Sequence, residues 1–361
     1  SRLRRNFVNN LPRPSTIHWH GIRIENSMDG VPGLTQEPVP PGGEFMYDFV
    51  VPDAGTYWYH PHRDSLEQLS RGLTAPLIVK ERQSPDVDAD LALMINQWRL
   101  DANGQIVEYS DTLRSQGRIS THLTVNGKPT LTWSSKRNHR LRLRLINGTV
   151  GRTLTITPQG LSGYVMALDG MPLASPQTLS SVILAPAQRT DLIVDVVSED
   201  GDIAYLRGDD GRALVAFPVT GTAGRSPRPA PKPLPPNRET PPVLSNSRQV
   251  DLRMRGGARN WTLNGVSGMP DDPLIEVERN ETVIVRMFNE NGAPHAMHMH
   301  GHHFREVNGT RLGPLRDTIL MAPNQQMSIA FVADNPGDWM FHCHMLEHMA
   351  AGMMTWIKVL G

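Results

Sequence analysis

The chain has 361 residues with 36 basic and 36 acidic side chains, so its formal net charge is zero, and its sequence pI is about 7.3. This balance gives no indication of a nucleic-acid or anionic-membrane partner, and no apolar run approaches the ~18–20 residues of a membrane span. The single cysteine excludes an intrachain disulfide, while 31 glycines, 30 prolines and only 20% charged residues are typical of a protein rich in turns and short strands.

The first predicted unit covers residues 1–82, since the length favours two or three domains of ~100–200 residues each. Its segments predicted as strands are Arg2–Val8, Gly43–Val51 and Leu73–Lys80. Between these segments lie two histidine blocks, His18-Trp19-His20-Gly21 and His60-Pro61-His62.

The second predicted unit covers residues 88–220 and contains only His122 and His139, which lack a metal-binding spacing. We interpret it as a spacer that holds the outer two units face to face. Its segments predicted as strands are Leu91–Trp98, Arg140–Ile146, Val182–Leu184 and Leu192–Val197. A proline-rich linker over residues 221–248 is expected to form an extended, semi-rigid strap over the surface.

The third predicted unit covers residues 249–361. Its segments predicted as strands are Leu274–Val277, Thr282–Phe288, Met327–Val332 and Trp339–Phe341. Many short strands with turn signals and no helical periodicity predict an all-β protein built from Greek-key β-sandwiches. This unit carries two further blocks, His295-Ala-Met-His298-Met-His300 and His342-Cys343-His344, the second continuing to His348 and Met353.

The His-x-His spacing is the main chemical signal in this sequence. Chance placement of 14 histidines in 361 residues would give roughly half of one such triplet, whereas the chain has five. Side chains on a strand alternate between its faces, so the two histidines of a triplet point the same way. Four triplets therefore offer eight imidazoles, enough for three copper ions, and neutral imidazole suits copper.

Cys343 lies between His342 and His344, so the same alternation directs its thiolate away from the site that its neighbours bind. A second copper centre is then expected on the opposite side of the strand. Cys343, His348 and His295, with Met353 as a weak axial ligand, would form the trigonal His₂Cys arrangement of a blue-copper electron-transfer site. The covalent links from Cys343 to both neighbouring histidines join the two centres.

On these motifs the chain resembles the multicopper oxidases, the family of laccases, ascorbate oxidase, cuprous oxidases and bacterial manganese-oxidising enzymes. The resemblance spans almost the whole chain and implies three cupredoxin-like domains holding four copper ions. It assigns the type 1 copper to His295, Cys343, His348 and Met353, and the type 2 copper to His18 and His298. The paired type 3 coppers take His20, His60, His62, His300, His342 and His344.

The resemblance also implies the reaction and its setting. A reducing substrate, phenolic or aromatic as in laccases, would lose single electrons at the type 1 copper, and Cys343, His342 and His344 would pass them to the trinuclear cluster, where dioxygen becomes water. Asp29 matches a family carboxylate near the cluster that helps to deliver protons. We expect a periplasmic or secreted monomer with no nucleic-acid or membrane partner. Members usually have several strands before the first histidine block, so the first domain is expected to be partial.

Several alternatives remain open from the sequence. Ten of the 17 methionines lie between Met287 and Met354; thioether sulfur suits Cu(I), but methionine is also an adaptable core residue. A metal-ion oxidase acting on Cu(I) or Mn(II) in copper tolerance, or a copper-binding protein without turnover, would use the same ligands. Arg316-Asp317-Thr318 resembles a recurrent family segment, to which we assign no chemistry and for which we favour a structural ion pair.

Overall fold

A computed structural model describes residues 1–101, 103–107, 122–224, 228–257 and 260–361 of the protein. Parts of the predicted second unit and of the predicted linker therefore lie outside the described residues. Strands account for 52% of the structure and helices for 4%, so the predicted all-β fold class is confirmed. In the described part of the chain the helices are at most six residues long, too short to cross a membrane.

The N-terminal sheets come from residues 2–79. Their strands are β1 (Arg2–Val8), β2 (His18–His20), β3 (Glu44–Val50), β4 (Gly55–His60) and β5 (Ala75–Val79), with helix α1 (Ser65–Ser70) and a 3₁₀ turn (Asn26–Met28). Strands β1 and β3 form an antiparallel pair, while β2, β4 and β5 form a three-stranded sheet.

The middle sheets come from residues 89–222. Their strands are β6 (Ala89–Trp98), β7 (His122–Val125), β8 (Leu131–Thr132), β9 (Ser135–Arg137), β10 (Arg140–Asn147), β11 (Leu154–Gln159), β12 (Leu161–Leu168), β13 (Met171–Thr178), β14 (Val182–Leu184), β15 (Arg189–Val196), β16 (Ile203–Arg207) and β17 (Ala213–Thr222). One sheet has the order β13-β12-β15-β10-β6-β7 and the other has the order β14-β11-β16-β17-β8, with β9 paired to β17.

The C-terminal sheets come from residues 247–359. Their elements are β18 (Ser247–Gly257), β19 (Asn260–Leu263), β20 (Ile275–Val277), β21 (Thr282–Asn289), β22 (His295–Met299), β23 (Phe304–Asn308), β24 (Arg311–Arg316), β25 (Thr318–Met321), β26 (Gln326–Val332), β27 (Gly337–Cys343), helix α2 (Leu346–Ala350) and β28 (Met354–Val359). One sheet has the order β19-β18-β21-β26-β23-β24, and the other has the order β20-β28-β27-β22-β25.

In strand β10 the alternation of residue types determines which side chains enter the hydrophobic core. The strand alternates arginine and leucine, so the two residue types point to opposite faces. The leucines enter the core of the middle sheets. The three arginines are also buried, which is tolerable because each is paired with a carboxylate; the partners are Asp195 for Arg140, Asp191 and Glu81 for Arg142, and Asp90 and Asp191 for Arg144.

The hydrophobic cores join separate parts of the chain. One core contains Trp19 and Tyr57 from the N-terminal sheets together with Phe341 and Cys343 from the C-terminal sheets. A smaller core contains residues from all three sheet pairs, among them Trp58, Met94, Ile146, Met340 and Leu346. The N-terminal and C-terminal sheets therefore pack directly against each other, and the middle sheets contact both.

The proline-rich segment crosses the surface without regular secondary structure in residues 228–243. Asn237 exchanges hydrogen bonds with the backbone of Ala54, at 3.1 and 2.9 Å. Glu239 accepts hydrogen bonds from Nε and Nη2 of the Arg305 guanidinium group. This segment thus ties the N-terminal sheets to the C-terminal sheets from outside.

Candidate metal centres

Two antiparallel strand pairs carry most of the histidine blocks. In the N-terminal sheets β2 pairs with β4 so that His18 lies opposite His60, and in the C-terminal sheets β22 pairs with β27 so that His298 lies opposite His342. The side chains from both pairs meet in one buried cluster, in which every member is at most 7% exposed. We call this set the histidine cluster: His18, His20, His60, His62, His298, His300, His342 and His344.

Ring nitrogens approach one another closely inside the histidine cluster. The Nε2 atoms of His300 and His342 lie 3.2 Å apart, and those of His60 and His344 lie 3.4 Å apart. His20 turns its Nδ1 toward His60 Nε2 at 3.5 Å. Three triplets have ligand atoms within 4.8 Å of one another, namely His18–His20–His60, His18–His298–His300 and His62–His300–His342.

The outward nitrogens of several rings contact backbone carbonyls. Nδ1 of His18 lies 2.9 Å from Asp29 O, Nδ1 of His298 lies 2.9 Å from Asp317 O, and Nδ1 of His60 lies 2.9 Å from Pro61 O. A carbonyl only accepts, so each Nδ1 carries the proton and each Nε2 keeps its lone pair. The Nε2 lone pairs are therefore directed into the cluster.

The histidine cluster fits bound copper. Nε2 of His18, His62 and His298 is buried without a hydrogen-bond partner, and orphaned buried polar atoms of this kind call for a ligand. Burial, reinforced by neighbouring rings, lowers the pKa of His60, His62, His300, His342 and His344 well below the usual range. The rings are therefore neutral and offer lone pairs, which is the form that binds copper.

A second group of ligand atoms surrounds Cys343. Its Sγ lies 3.7 Å from Nδ1 of His295 and 3.6 Å from Nδ1 of His348, and the two Nδ1 atoms are 3.1 Å apart. Burial raises the pKa of Cys343 to about 12 and lowers that of His348 to about 4; burial and the nearby His348 lower that of His295 to about 3. Two neutral imidazoles and a sulfur thus converge on one point, as a His₂Cys copper site requires.

Two further side chains border this group. Met353 is fully buried in the same core as Cys343, and its carbonyl accepts the Cys343 N–H at 3.1 Å. The ring of Trp261 lies 4.3 Å from that of His348 and 5.2 Å from that of His295. The folded chain therefore brings the backbone of Met353 against that of Cys343, and it adds an aromatic neighbour that the sequence did not indicate.

Asp29 contacts the histidine cluster with both carboxylate oxygens. Its Oδ2 accepts a hydrogen bond from Nδ1 of His300 at 2.8 Å. Its Oδ1 lies 3.2 Å from Nδ1 of His18, yet it is buried without a hydrogen-bond donor because that N–H is directed at the Asp29 carbonyl. One carboxylate oxygen is therefore free to hold a proton or a water molecule next to the cluster.

Asp317 forms the ion pair expected for its segment, with Arg189, whose Nη1 donates to its Oδ1 at 2.8 Å. The same Oδ1 atom of Asp317 also lies 3.3 Å from Nε2 of His20. Burial opposes ionisation of Asp317, but Arg189 and the adjacent imidazoles outweigh it and hold its pKa well below the usual range. Sequence reasoning missed the contact with His20, because the two residues are far apart in the chain.

A cavity of about 640 Å³ opens between the N-terminal and C-terminal sheets. His62 of the histidine cluster lines it, and so do four methionines, Met269, Met340, Met349 and Met354. Met349 directly follows His348, and Met354 directly follows Met353. The cavity therefore reaches from the surface to one member of the histidine cluster along a wall rich in thioether groups.

Comparison with known proteins agrees with this geometry. Sequence profiles described as multicopper oxidase match residues 1–84, 90–212 and 239–360. The crystal structure of a multi-copper oxidase from Pseudomonas thermotolerans is 34% identical in sequence and superposes with a TM-score of 0.91, over 99% of this chain and 89% of that one. Lac15 from a marine microbial metagenome is 42% identical with a TM-score of 0.84, over 99% and 89% of the two chains.

A relative with a longer chain is also similar in sequence to this protein. Multicopper oxidase MmcO of Mycobacterium tuberculosis is 28% identical over 96% of this chain and 77% of its own length. Multicopper oxidases bind copper and couple the oxidation of a reducing substrate to the reduction of dioxygen. The chain belongs to the multicopper oxidase family.

Proposed function

We propose that this protein is a laccase-like multicopper oxidase that holds four copper ions in two connected sites. His295, Cys343, His348 and Met353 would hold the type 1 ion. His18 and His298 would hold the type 2 ion, and the other six members of the histidine cluster the type 3 pair. Bound copper would supply one-electron transfer at the first site and dioxygen reduction at the second.

The observation that carries this proposal is the arrangement around Cys343. Its sulfur faces His295 and His348, while its neighbours His342 and His344 face the histidine cluster. Electrons received on the Cys343 side need to cross only one residue of main chain to reach an imidazole of the cluster. A copper-storage protein has no need of such a connection, so the arrangement favours an enzyme.

Asp29 would position the cluster and supply protons to it. Its Oδ2 accepts the hydrogen bond from Nδ1 of His300, which leaves Nε2 of that ring for metal. Its buried Oδ1 has no donor and is placed to take up and release a proton. The family counterpart of this carboxylate has the same expected role.

An aromatic reductant fits the surroundings of His348. This residue is only half-buried, the ring of Trp261 lies 4.3 Å from its ring, and the preceding residue Glu347 is also half-buried. A phenol could pack against an aromatic neighbour and pass an electron to the His348 ring, since aromatic rings attract one another in offset or edge-to-face arrangements. Mn(II) requires hard oxygen ligands, and none of the potential metal-binding groups found among the described residues consists mainly of carboxylates.

Cu(I) is the second candidate reductant, and the methionine-lined cavity favours it. Met349 and Met354 line the cavity and flank His348 and Met353 in sequence. Thioether sulfur is a soft ligand that suits Cu(I). The same side chains also pack in or against a hydrophobic core, so their chemistry has to be separated from their packing by experiment.

The test is oxygen consumption by copper-loaded protein with a phenol, Cu(I) or Mn(II) as reductant, measured in parallel. We expect turnover with the phenol and none above background with Cys343→Ser. If Cu(I) is also oxidised, Met349→Leu combined with Met354→Leu should lower only the Cu(I) rate, because leucine preserves volume but lacks sulfur. Met94→Leu is the matched control, since Met94 lies in the same core but does not line the cavity. Stoichiometric copper binding without oxygen uptake for any reductant would contradict the enzyme proposal.

A further inference from the structure

Arg189 lies on β15, in the middle sheets, which contribute no residue to the histidine cluster. Its side chain is nevertheless completely buried beside the cluster. Backbone carbonyls hold the guanidinium group in place: Nε donates to Thr56 at 3.2 Å, Nη1 to Ala187 at 3.1 Å and Nη2 to Asp169 at 3.0 Å. These carbonyls belong to both the N-terminal and the middle sheets, so the group has one fixed orientation.

The remaining donors of Arg189 bind Asp317 in a two-pronged contact. Nη1 donates to Oδ1 at 2.8 Å and Nη2 donates to Oδ2. A planar guanidinium fork matches a carboxylate in this way and fixes its rotation, which a lysine ammonium group cannot do. Thr318 adds a hydroxyl hydrogen bond to Oδ1 at 2.7 Å. Three hydrogen bonds from N–H and O–H donors therefore reach the carboxylate, and the guanidinium fork fixes its orientation.

Asp317 Oδ1 in turn lies 3.3 Å from Nε2 of His20. A carboxylate only accepts hydrogen bonds, so the proton of neutral His20 belongs on Nε2 and the lone pair on Nδ1, the atom that faces His60. The opposite assignment holds for the rings whose Nδ1 meets an acceptor oxygen, namely His18, His60, His298, His300 and His342. His20 is thus held in the tautomer opposite to theirs.

Gly21 provides independent support for a dedicated arrangement. Its φ is +84°, and a Cβ atom added there would lie 2.2 Å from Arg189 Nη2 and 2.5 Å from Asp317 Oδ2. Only glycine can follow His20 here, because the ion pair occupies the space of a side chain. The end of strand β2, which carries His18 and His20, therefore packs directly against the ion pair between Arg189 and Asp317.

We propose that Arg189 is a positioning residue that fixes the Asp317 carboxylate so that His20 keeps its proton on Nε2 and presents Nδ1 to metal. Arg189 of the middle sheets thus determines the tautomer of His20 in the N-terminal sheets. It does so through Asp317, which lies between β24 and β25 of the C-terminal sheets. The metal part of this statement rests on the proposed function, whereas the tautomer part concerns the protein without metal.

The tautomer is measured by ¹⁵N NMR of histidine side chains in metal-free protein, which separates protonated from unprotonated ring nitrogens. We expect His20 to carry its proton on Nε2 in the natural sequence and to lose this preference in Arg189→Lys. Arg142→Lys is the matched control: Arg142 is equally buried, and its ion pairs are with Asp191 at 2.6 Å and Glu81 at 2.7 Å rather than with Asp317. Unchanged His20 signals in Arg189→Lys, or equal changes in Arg142→Lys, would overturn the proposal.

A second measurement follows copper retention in the loaded protein. Loss of a partner behind a metal ligand typically costs about 10–100-fold in metal affinity or activity. Arg189→Lys should therefore release cluster copper to a chelator about 10–100-fold faster, with the blue type 1 band unchanged as an internal reference.

Asp317→Asn and Asp317→Leu form a second matched pair, because both remove the charge but only asparagine keeps an acceptor oxygen for His20. Asparagine should retain cluster copper better than leucine, and equal retention would contradict the role of the acceptor. A natural-sequence protein that binds no cluster copper would instead refute the proposed function, and the NMR measurement would still decide the tautomer.

Discussion

The sulfur of Cys343 lies 3.6 Å from Nδ1 of His348, whereas the rings of its sequence neighbours His342 and His344 lie in the histidine cluster. Strand β27 ends at Cys343, so its alternation of side chains separates two potential copper sites within three residues. The sulfur can therefore be removed without touching a ligand atom of the cluster.

Cys343→Ser is expected to abolish the blue colour of the copper-loaded protein and to leave the cluster copper bound. The colour comes from charge transfer between the thiolate and copper, and the serine hydroxyl cannot replace it. Optical spectroscopy together with copper analysis tests this, and the expected result is loss of one copper ion out of four. A variant that kept the blue band would refute the assignment of Cys343 to the type 1 site.

Met353→Leu is expected to raise the reduction potential of the type 1 site and to keep its blue colour. Met353 is fully buried in an apolar core, so leucine should fit with a loss of less than about 1.5 kcal/mol in stability. Removal of a weak axial donor destabilises Cu(II) more than Cu(I), because the axial ligand tunes the potential. A redox titration that shows a lower potential, or loss of this copper, would exclude Met353 as the axial ligand.

Residue patterns predicted the bounds of some strands. Strands Arg2–Val8 and Val182–Leu184 have the predicted bounds; the second is an apolar run whose alternate residues are buried, whereas the first is mostly polar and exposed. Strand β15 instead begins at Arg189, three residues before the predicted start at Leu192. Its first residues are polar but buried, since their partners come from elsewhere in the chain, including Asp317 and Thr56.

The sequence likewise predicted some features of the candidate site and not others. Spacing alone identified the histidines and Cys343, because short-range geometry determines which side chains share a face of a strand. It could not show that His60 meets His344 across 284 residues, or that Arg189 meets Asp317 across 128 residues. Such contacts depend on how the sheets pack, and a single sequence interpreted by itself carries no direct record of that packing.

Trp261→Ala is expected to lower the type 1 potential, whereas Trp261→Phe should change it little. The indole ring is 7% exposed and lies against both His348 and His295. Its removal would admit water, which stabilises the more highly charged Cu(II), because the apolar shell of a metal site controls its potential. Potentials of the two variants are compared by redox titration. Equal potentials for alanine and phenylalanine would show that Trp261 does not shield the site.

Gly21→Ala is expected to destabilise the protein more than Gly33→Ala. Both glycines have positive φ angles, +84° and +77°, so alanine is strained at either position by about 1–2 kcal/mol. Only at Gly21 would the added Cβ also collide with Arg189 and Asp317, since nothing lies within 4 Å at Gly33. Denaturant unfolding of the two variants measures the difference. Equal losses would mean that the ion pair moves aside without cost.

Asp29→Asn is expected to slow the reaction with dioxygen while leaving reduction by substrate unchanged. Asparagine keeps the shape of the side chain, but it cannot exchange a proton at working pH, and its amide group can accept at only one of the two positions that face His300 and His18. A positioned acid contributes about 10²–10⁴-fold to such a step, and Met349, which follows the proposed type 1 ligand His348, offers no substitute acid. The loss should therefore lie toward the upper part of that range.

Two stopped-flow measurements separate the halves of the reaction in this variant, after copper analysis has shown equal loading. Anaerobic bleaching of the blue band by a reductant reports electron entry at Cys343 and its two histidine partners, which Asp29 does not touch. Reoxidation of the bleached protein by dioxygen reports the cluster, where Asp29 contacts His300. Slow bleaching with normal reoxidation would assign Asp29 to substrate entry or to folding, and the proton route would then have to involve another group next to the histidine cluster.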